Sequence, residues 1–263
     1  MTNSDKGDDS AGANGSNGAA GRKVPGREPL MKPLPRRFYK AATCGPDDEG
    51  FAVLLDGRAA RTPGKRKLAV ASRALAEALA EEWDAQGTSI NPATMPLSRI
   101  VIAALDGVAG NERAVAEDIV AFAGSDLICY RAASPPGLVE LQAMHWNPVI
   151  AWAASRLGAH FKVAEGIVHV AQDADALDRL RAQLDGRDAI QLAALHVMTT
   201  LTGSALIALA HADKVLGVEA AWQAAHVDED WQIRQWGEDE EAAERRERRW
   251  RDMQAASRIL ALA

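Results

Sequence analysis

From position 189 to 210 the chain reads AIQLAALHVMTTLTGSALIALA, 22 residues without a formal charge. Such a run has to be shielded from water, either by a bilayer or by other helices of the same chain. Its length is sufficient to cross a membrane as a helix. However, it carries Gln191, His196, Thr199, Thr200, Thr202 and Ser204, no aromatic belt flanks it, and no Lys/Arg-rich loop sets an orientation. It reads as a central helix, or two abutting helices, buried on most sides by its neighbours. The fold must therefore supply enough other helices to surround it.

Those helices follow a region of different period. From Arg36 to about Val70 the pattern is short: RFYKAATC, GPDDEG, FAVLL, then Asp56-Gly57, then RAARTP and KLAV. Asp-Gly between apolar runs is a strong hairpin signal, because both central residues of the favoured turn need φ > 0. A small antiparallel sheet of three to five strands is expected. Beyond Ser72, a candidate N-cap, Leu75, Leu79 and Trp83 recur every four residues, and Gly87 stands where a C′ glycine belongs. INPATMP is a loop, with Pro96 opening a helix that carries Leu97, Val101 and Leu105. Further helices are expected over 111–123, about 137–157 with Pro148 near an internal start, 175–185, 189–212, 218–236 and 238–261. FKVAEGIVHV (161–170) reads as a strand or strand pair. The expected class is α+β, a small N-terminal β-rich domain followed by a larger all-helical C-terminal domain. The boundaries are 30–87 for the sheet with one helix and 88–263 for the helices.

Residues 1–29 are mostly Gly, Ser, Asn, Ala and Asp, too polar to offset the entropy of ordering, and are expected to be a disordered tail. They hold no apolar signal core, and Asp5, Asp8 and Asp9 have the wrong sign for a transit peptide, so the expected address is cytoplasmic. A formal net charge of −6 argues against general affinity for nucleic acid or anionic membranes. Cys44 and Cys129 are far apart, fit no metal-ligand spacing, and read as small core hydrophobes.

The sequence offers little catalytic chemistry. Gly64-Lys65 lacks the upstream glycine and following Ser or Thr of a phosphate loop, leaving a basic turn. There is no GxGxxG after a strand, no GxSxG and no HExxH. His145, His160, His169, His196, His211 and His226 are scattered singly, and His196 on its apolar helix reads as a satisfied core residue. No catalytic residue, metal or cofactor is expected.

Seven Trp outnumber four Phe and two Tyr, and Trp222, Trp231, Trp236 and Trp250 fall late in the chain. Most fit an Ala-rich core, although Trp is also enriched at protein–protein hot spots. The most specific stretch is DEDWQIRQWGEDEEA (228–242). On a helix Glu229, Gln232 and Trp236 share one face while Trp231 points elsewhere. An acid, an amide and an indole in one stripe do not make a plain apolar core face. Gly237 then ends the helix, and Glu238 to Glu241 give the next one a negative first turn. Glu241/Arg245, Glu244/Arg248 and Glu247/Arg251 follow as i,i+4 pairs on a solvated face.

With RRFYK (36–40), LDGRAARTP (55–63), EEWDAQ (81–86), NPATMPL (91–97), SDLICYRA (125–132), LQAMHWNPVIAWA (141–153), GSALIALA (203–210) and DEDWQIRQWGEDEEA (228–242) in this order, the chain resembles the assembly chaperone family of the F-type ATP synthase. Members in mitochondria and alpha-proteobacteria hold the free alpha subunit of the catalytic head. The likeness runs from about Arg36 to the C-terminus. It implies a small β-rich domain on a helical domain, an alpha-subunit partner, and no nucleotide hydrolysis. In that light Glu229, Gln232 and Trp236, with Gly237 and Glu240, are the expected partner-binding residues. Trp236→Ala is expected to lose more packing than a change at Glu229. A competing class is a small-molecule enzyme with Asp126, Tyr130 and Arg131 near a cleft between the domains, and a third is a purely structural scaffold.

Overall fold

The computed structural model describes residues 33–263, so the expectation for residues 1–29 lies outside the described part. Strand β1 (Ala42–Asp47) pairs antiparallel with β2 (Gly50–Leu55), whose other edge takes β3 (Arg58–Ala59) and β4 (Ala69–Val70). The β2–β3 connection is the expected two-residue turn, with Asp56 at φ 47° and Gly57 at φ 81° and Leu55 facing Arg58. Asp56 does more than turn the chain. Its carboxylate accepts the backbone N–H groups of Lys40 and Ala41 at 3.0 Å, fixing the entry to β1 and holding its own pKa below the usual range.

Helix α1 (Arg73–Asp84) starts at Ser72, whose hydroxyl accepts from the Leu75 N–H, and it buries Leu75 and Leu79 against the sheet. It does not end on a left-handed Gly87. The Gln86 side chain instead donates to the Glu82 carbonyl at 3.1 Å and accepts from the Asn91 N–H at 2.8 Å, so a side chain satisfies the helix end. Helix α2 (Pro96–Ala103) begins at Pro96 as expected, and its open N-terminus is capped from α1. The Glu82 carboxylate accepts the N–H groups of Leu97 at 2.9 Å and Ser98 at 2.8 Å. A π-helical turn (104–108) follows, in which Asp106 accepts from the Thr62 hydroxyl and the Gly64 N–H, tying the basic turn of the sheet to the helices.

Helix α3 (Glu112–Ala123) leads to β5 (Tyr130–Arg131), then α4 (Pro136–Trp152). Pro148 sits inside α4 rather than at a start. It shares the exposed face with Met144, the residue four before it, where water can take the place of the missing N–H. The segment 161–170 contributes only the two-residue β6 (Ala164–Glu165), parallel to β5, because Ile167 and Val168 lie exposed with no layer to cover them.

Helix α5 (Ala174–Ala182) precedes the uncharged run, which forms two abutting helices, α6 (Ala189–Thr202) and α7 (Ala205–Ala212). Gly203 at φ 66° ends the first and the Ser204 hydroxyl caps the second. Surrounding helices bury the run, and among the described residues no helix is long and apolar enough to cross a membrane. His196 is not a core residue; it is partly exposed and its Nε2 lies 2.6 Å from Asp118.

The expected single helix over 218–236 is two, α8 (Val218–Ala225) and α9 (Val227–Trp236). The break has a local cause. The ring Nδ1 of His226 donates to the Trp222 carbonyl at 2.8 Å, taking the acceptor that the helical ladder offers the His226 backbone N–H, which turns to Gln223 instead. The last helix, α10 (Glu240–Leu262), packs along α6, α2 and α8 and reaches α1 at its far end. All three expected acid-to-base pairs form on it. Residues 34–263 form one unit, and its apolar core runs from Tyr39 in the sheet region to Ile259 in α10.

Candidate functional site

The α9–α10 junction is a reversal. Gly237 adopts φ 87°, a backbone conformation that L side chains rarely take, and Asp239 then caps α10 by accepting the Ala242 N–H at 2.9 Å. Folding α9 back on the first turns of α10 leaves a groove of roughly 280 Å³. Glu229, Gln232, Trp236 and Gly237 all line it, so the expected stripe does share one face and that face opens onto the groove. Ile233, Ala242 and Ala243 supply apolar lining. Glu240 is exposed in the first turn of α10 and is not part of the lining.

Trp236 is 80% exposed, an unusual state for an indole on a helix that had apolar neighbours available. It contrasts with Trp222, which is buried, stacked on His226 and next to Trp250. Trp231 points the other way, as expected, onto α4 at Gly137, where an added Cβ would lie 2.8 Å from its ring. That approach and the Gln142 to Asp228 hydrogen bond at 2.7 Å fix α9 against α4. The Gln142 amide is buried and its oxygen accepts from the Ala132 N–H, so α9 is anchored on a satisfied polar pair.

Glu229 is 39% exposed at the groove edge. Its carboxylate lies 3.9 Å from Arg246 and 3.8 Å from His226 Nε2. Arg246 is mainly engaged by Asp230 at 2.5 Å. Burial holds the His226 pKa below its usual value, so the ring stays neutral, and with Nδ1 donating to Trp222 its Nε2 has no partner among the described residues. Glu229 is therefore neither free surface nor a tightly paired buried acid. Arg246 and His226 were not legible as site residues because one comes from α10 and the other looked like an isolated histidine. The His226/Glu229 spacing of three was the signal available.

Asp126, Tyr130 and Arg131 do not converge on a cleft. Asp126 is fully buried and its carboxylate accepts the N–H groups of Ile128 and Leu206, capping the start of α7. Tyr130 bonds His169, and the Arg131 guanidinium lies over the Trp146 ring. Of the two cysteines, Cys129 is buried, as a core hydrophobe should be, whereas Cys44 is only partly buried.

Residues 36–154 match the family model described as ATP12 chaperone protein. The mitochondrial protein atp12 of Schizosaccharomyces pombe is 24% identical over 228 residues, which cover 82% of this chain and 78% of the relative. The crystal structure of the Atu1473 protein of Agrobacterium tumefaciens is similar at 51% identity and a TM-score of 0.84, covering 89% of this chain and 88% of that one. That of Atp12 from Paracoccus denitrificans is similar at 39% identity and a TM-score of 0.81, covering 87% of this chain and 98% of that one. On this likeness in sequence and in fold, the chain belongs to the ATP12 chaperone family.

Proposed function

We propose that this ATP12-family chaperone, a factor in ATP synthase assembly, holds the free alpha subunit of the F-type catalytic head until the beta subunit replaces it. The contact surface in this reading is the α9–α10 groove, with Glu229, Gln232, Trp236 and Gly237 lining it and Glu240 beside it. The observation that carries the assignment is Trp236, 80% exposed at the mouth of an apolar-floored groove. An exposed indole is a large contact area held in readiness for a partner.

The chemistry suits a holding function. A lone alpha subunit exposes the apolar surface it later buries against beta, and exposed surface of that kind aggregates. A chaperone has to cover it and then yield to beta, which favours a mixed acid, amide and aromatic surface over a wholly apolar one. The reading assigns the chain no catalytic step, metal or cofactor, and places it in the cytoplasm with newly made alpha. The experiment is a pull-down with the tagged chain. Recovery of alpha alone, without beta or assembled synthase, is the expected outcome, and recovery of the intact synthase or of no alpha would overturn it.

A further inference from the structure

Three segments outside the α9–α10 junction meet at a second groove, of roughly 600 Å³. RRFYK contributes Phe38 and Tyr39, the β2–β3 hairpin contributes Leu55 and Arg58 to Arg61, and the last turn of α1 contributes Trp83. The groove is firmly built. The Tyr39 hydroxyl donates to the Trp83 carbonyl at 2.7 Å, and Arg37 spans from the Tyr39 carbonyl to Asp84. Phe38 packs edge-on to Tyr39 with ring centroids 5.3 Å apart, yet it is 73% exposed. Nothing in the sheet needs a phenyl ring there.

The charge around this groove is opposite to that of the chain. Its lining holds two cations, Arg58 and Arg61, against one acid, Asp56, in a protein with a formal net charge of −6. The nearby acids are already engaged: Asp56 accepts the backbone N–H groups of Lys40 and Ala41, and Asp84, beside Trp83, pairs with Arg37. Among the described residues Arg58 forms no ion pair, and Arg61 donates only to the Lys65 carbonyl. Two guanidinium groups without carboxylates thus flank an aromatic groove with an exposed phenyl ring at its rim.

We propose that this groove is a second docking surface, which takes an acidic segment of a partner protein with an aromatic or large aliphatic side chain between its carboxylates. The apolar side chain lies against Phe38, Leu55 and Trp83 while the carboxylates pair with Arg58 and Arg61, where Arg offers bidentate geometry. A protein segment fits better than a nucleic acid, because the net negative charge of the chain opposes a polyanion while aliphatic walls reward an apolar side chain. The proposal goes beyond the α9–α10 reading and does not depend on it.

The test uses the full chain and a fluorescent peptide Glu-Asp-Phe-Leu-Asp-Glu, followed by anisotropy at low and moderate salt, with a Lys-for-acid peptide as control. Binding of the acidic peptide that weakens with salt, and that falls by about tenfold or more in Arg58→Glu/Arg61→Glu, is expected. Phe38→Ser, at an exposed position, gives the same loss and keeps the test decisive if charge reversal disturbs the hairpin. Glu229→Lys leaves peptide binding unchanged, which separates this surface from the α9–α10 groove. Equal binding of the Lys peptide, no loss in either variant, or stronger binding of a single-stranded RNA oligomer would overturn the proposal. So would self-association of the chain that the double variant abolishes, since the occupant would then be a second copy.

Discussion

Arg246 reaches from α10 to Asp230 on α9 at 2.5 Å, closing the inner side of the groove whose outer edge is Trp236. The pair holds two helices in a hairpin that the chain could not brace through apolar contact alone, because Val227 is the only residue of α9 that is fully buried. It also leaves Glu229, the next acid along, without a strong partner.

Glu229→Lys should therefore keep the fold and lose the partner. The acid is over a third exposed and its nearest cation is 3.9 Å away, so the stability cost should be about 1 kcal/mol or less. Alpha-subunit binding should fall by about tenfold or more, since a reversed charge at a desolvated contact is repulsive. Circular dichroism and the alpha pull-down on the same preparation check both halves. A folded variant that binds as well as the parent would move the site away from this groove.

Trp236→Ala serves as an equally clean companion. The packing loss expected from its size does not arise, because most of the indole is in water. Its melting temperature should match the parent within a degree or two, on the order of 0.5 kcal/mol, while alpha binding drops. A large stability loss would mean that the ring packs inward in solution.

Two glycines of the sheet region should resist substitution for different reasons. Gly57 has open space around its Cα but φ 81°, so Gly57→Asn should be tolerated and Gly57→Val should cost roughly 1–3 kcal/mol. Gly64 has no such backbone constraint, but a Cβ there would lie 2.5 Å from the Asp106 carboxylate. Gly64→Ala should displace Asp106, break its bonds to Thr62 and Gly64, and cost about 1–3 kcal/mol. Urea unfolding of the four proteins checks the ordering.

The pH dependence of stability should carry a signature of Asp126. Burial lifts its carboxyl from 3.8 to about 6, against the hydrogen bonds from Ser204, Leu206 and Ile128 that favour the charge. The folded chain then takes up a proton between those values while the unfolded chain does not, so this residue's contribution to stability rises as pH falls through 6 toward 4. In Asp126→Asn that rise should vanish. Unfolding free energies of parent and variant at pH 7 and pH 5 give the test, and a difference between the proteins that does not change with pH would refute the assignment.

What the sequence by itself determined is what local chemistry controls. The Asp56-Gly57 turn, the Ser72 cap, Pro96 at a helix start and the uncharged run as buried helices all follow from backbone dihedral limits, capping and period, which act within a few residues. The shared face of Glu229, Gln232 and Trp236 is of the same kind, since helical geometry alone puts positions three and seven apart on one side. Tertiary structure decided which side of each face meets water. That Trp236 is exposed while Trp222 is buried depends on where α10 returns, and that return is set by Gly237 and by Arg246 meeting Asp230 across sixteen residues. The break at His226, the Glu82 cap on a different helix and the Phe38 groove likewise rest on side chains satisfying groups that are distant in sequence or that compete with the local ladder. Periodicity carries no information about such pairings, because it records which residues avoid water and not which partner removes them from it.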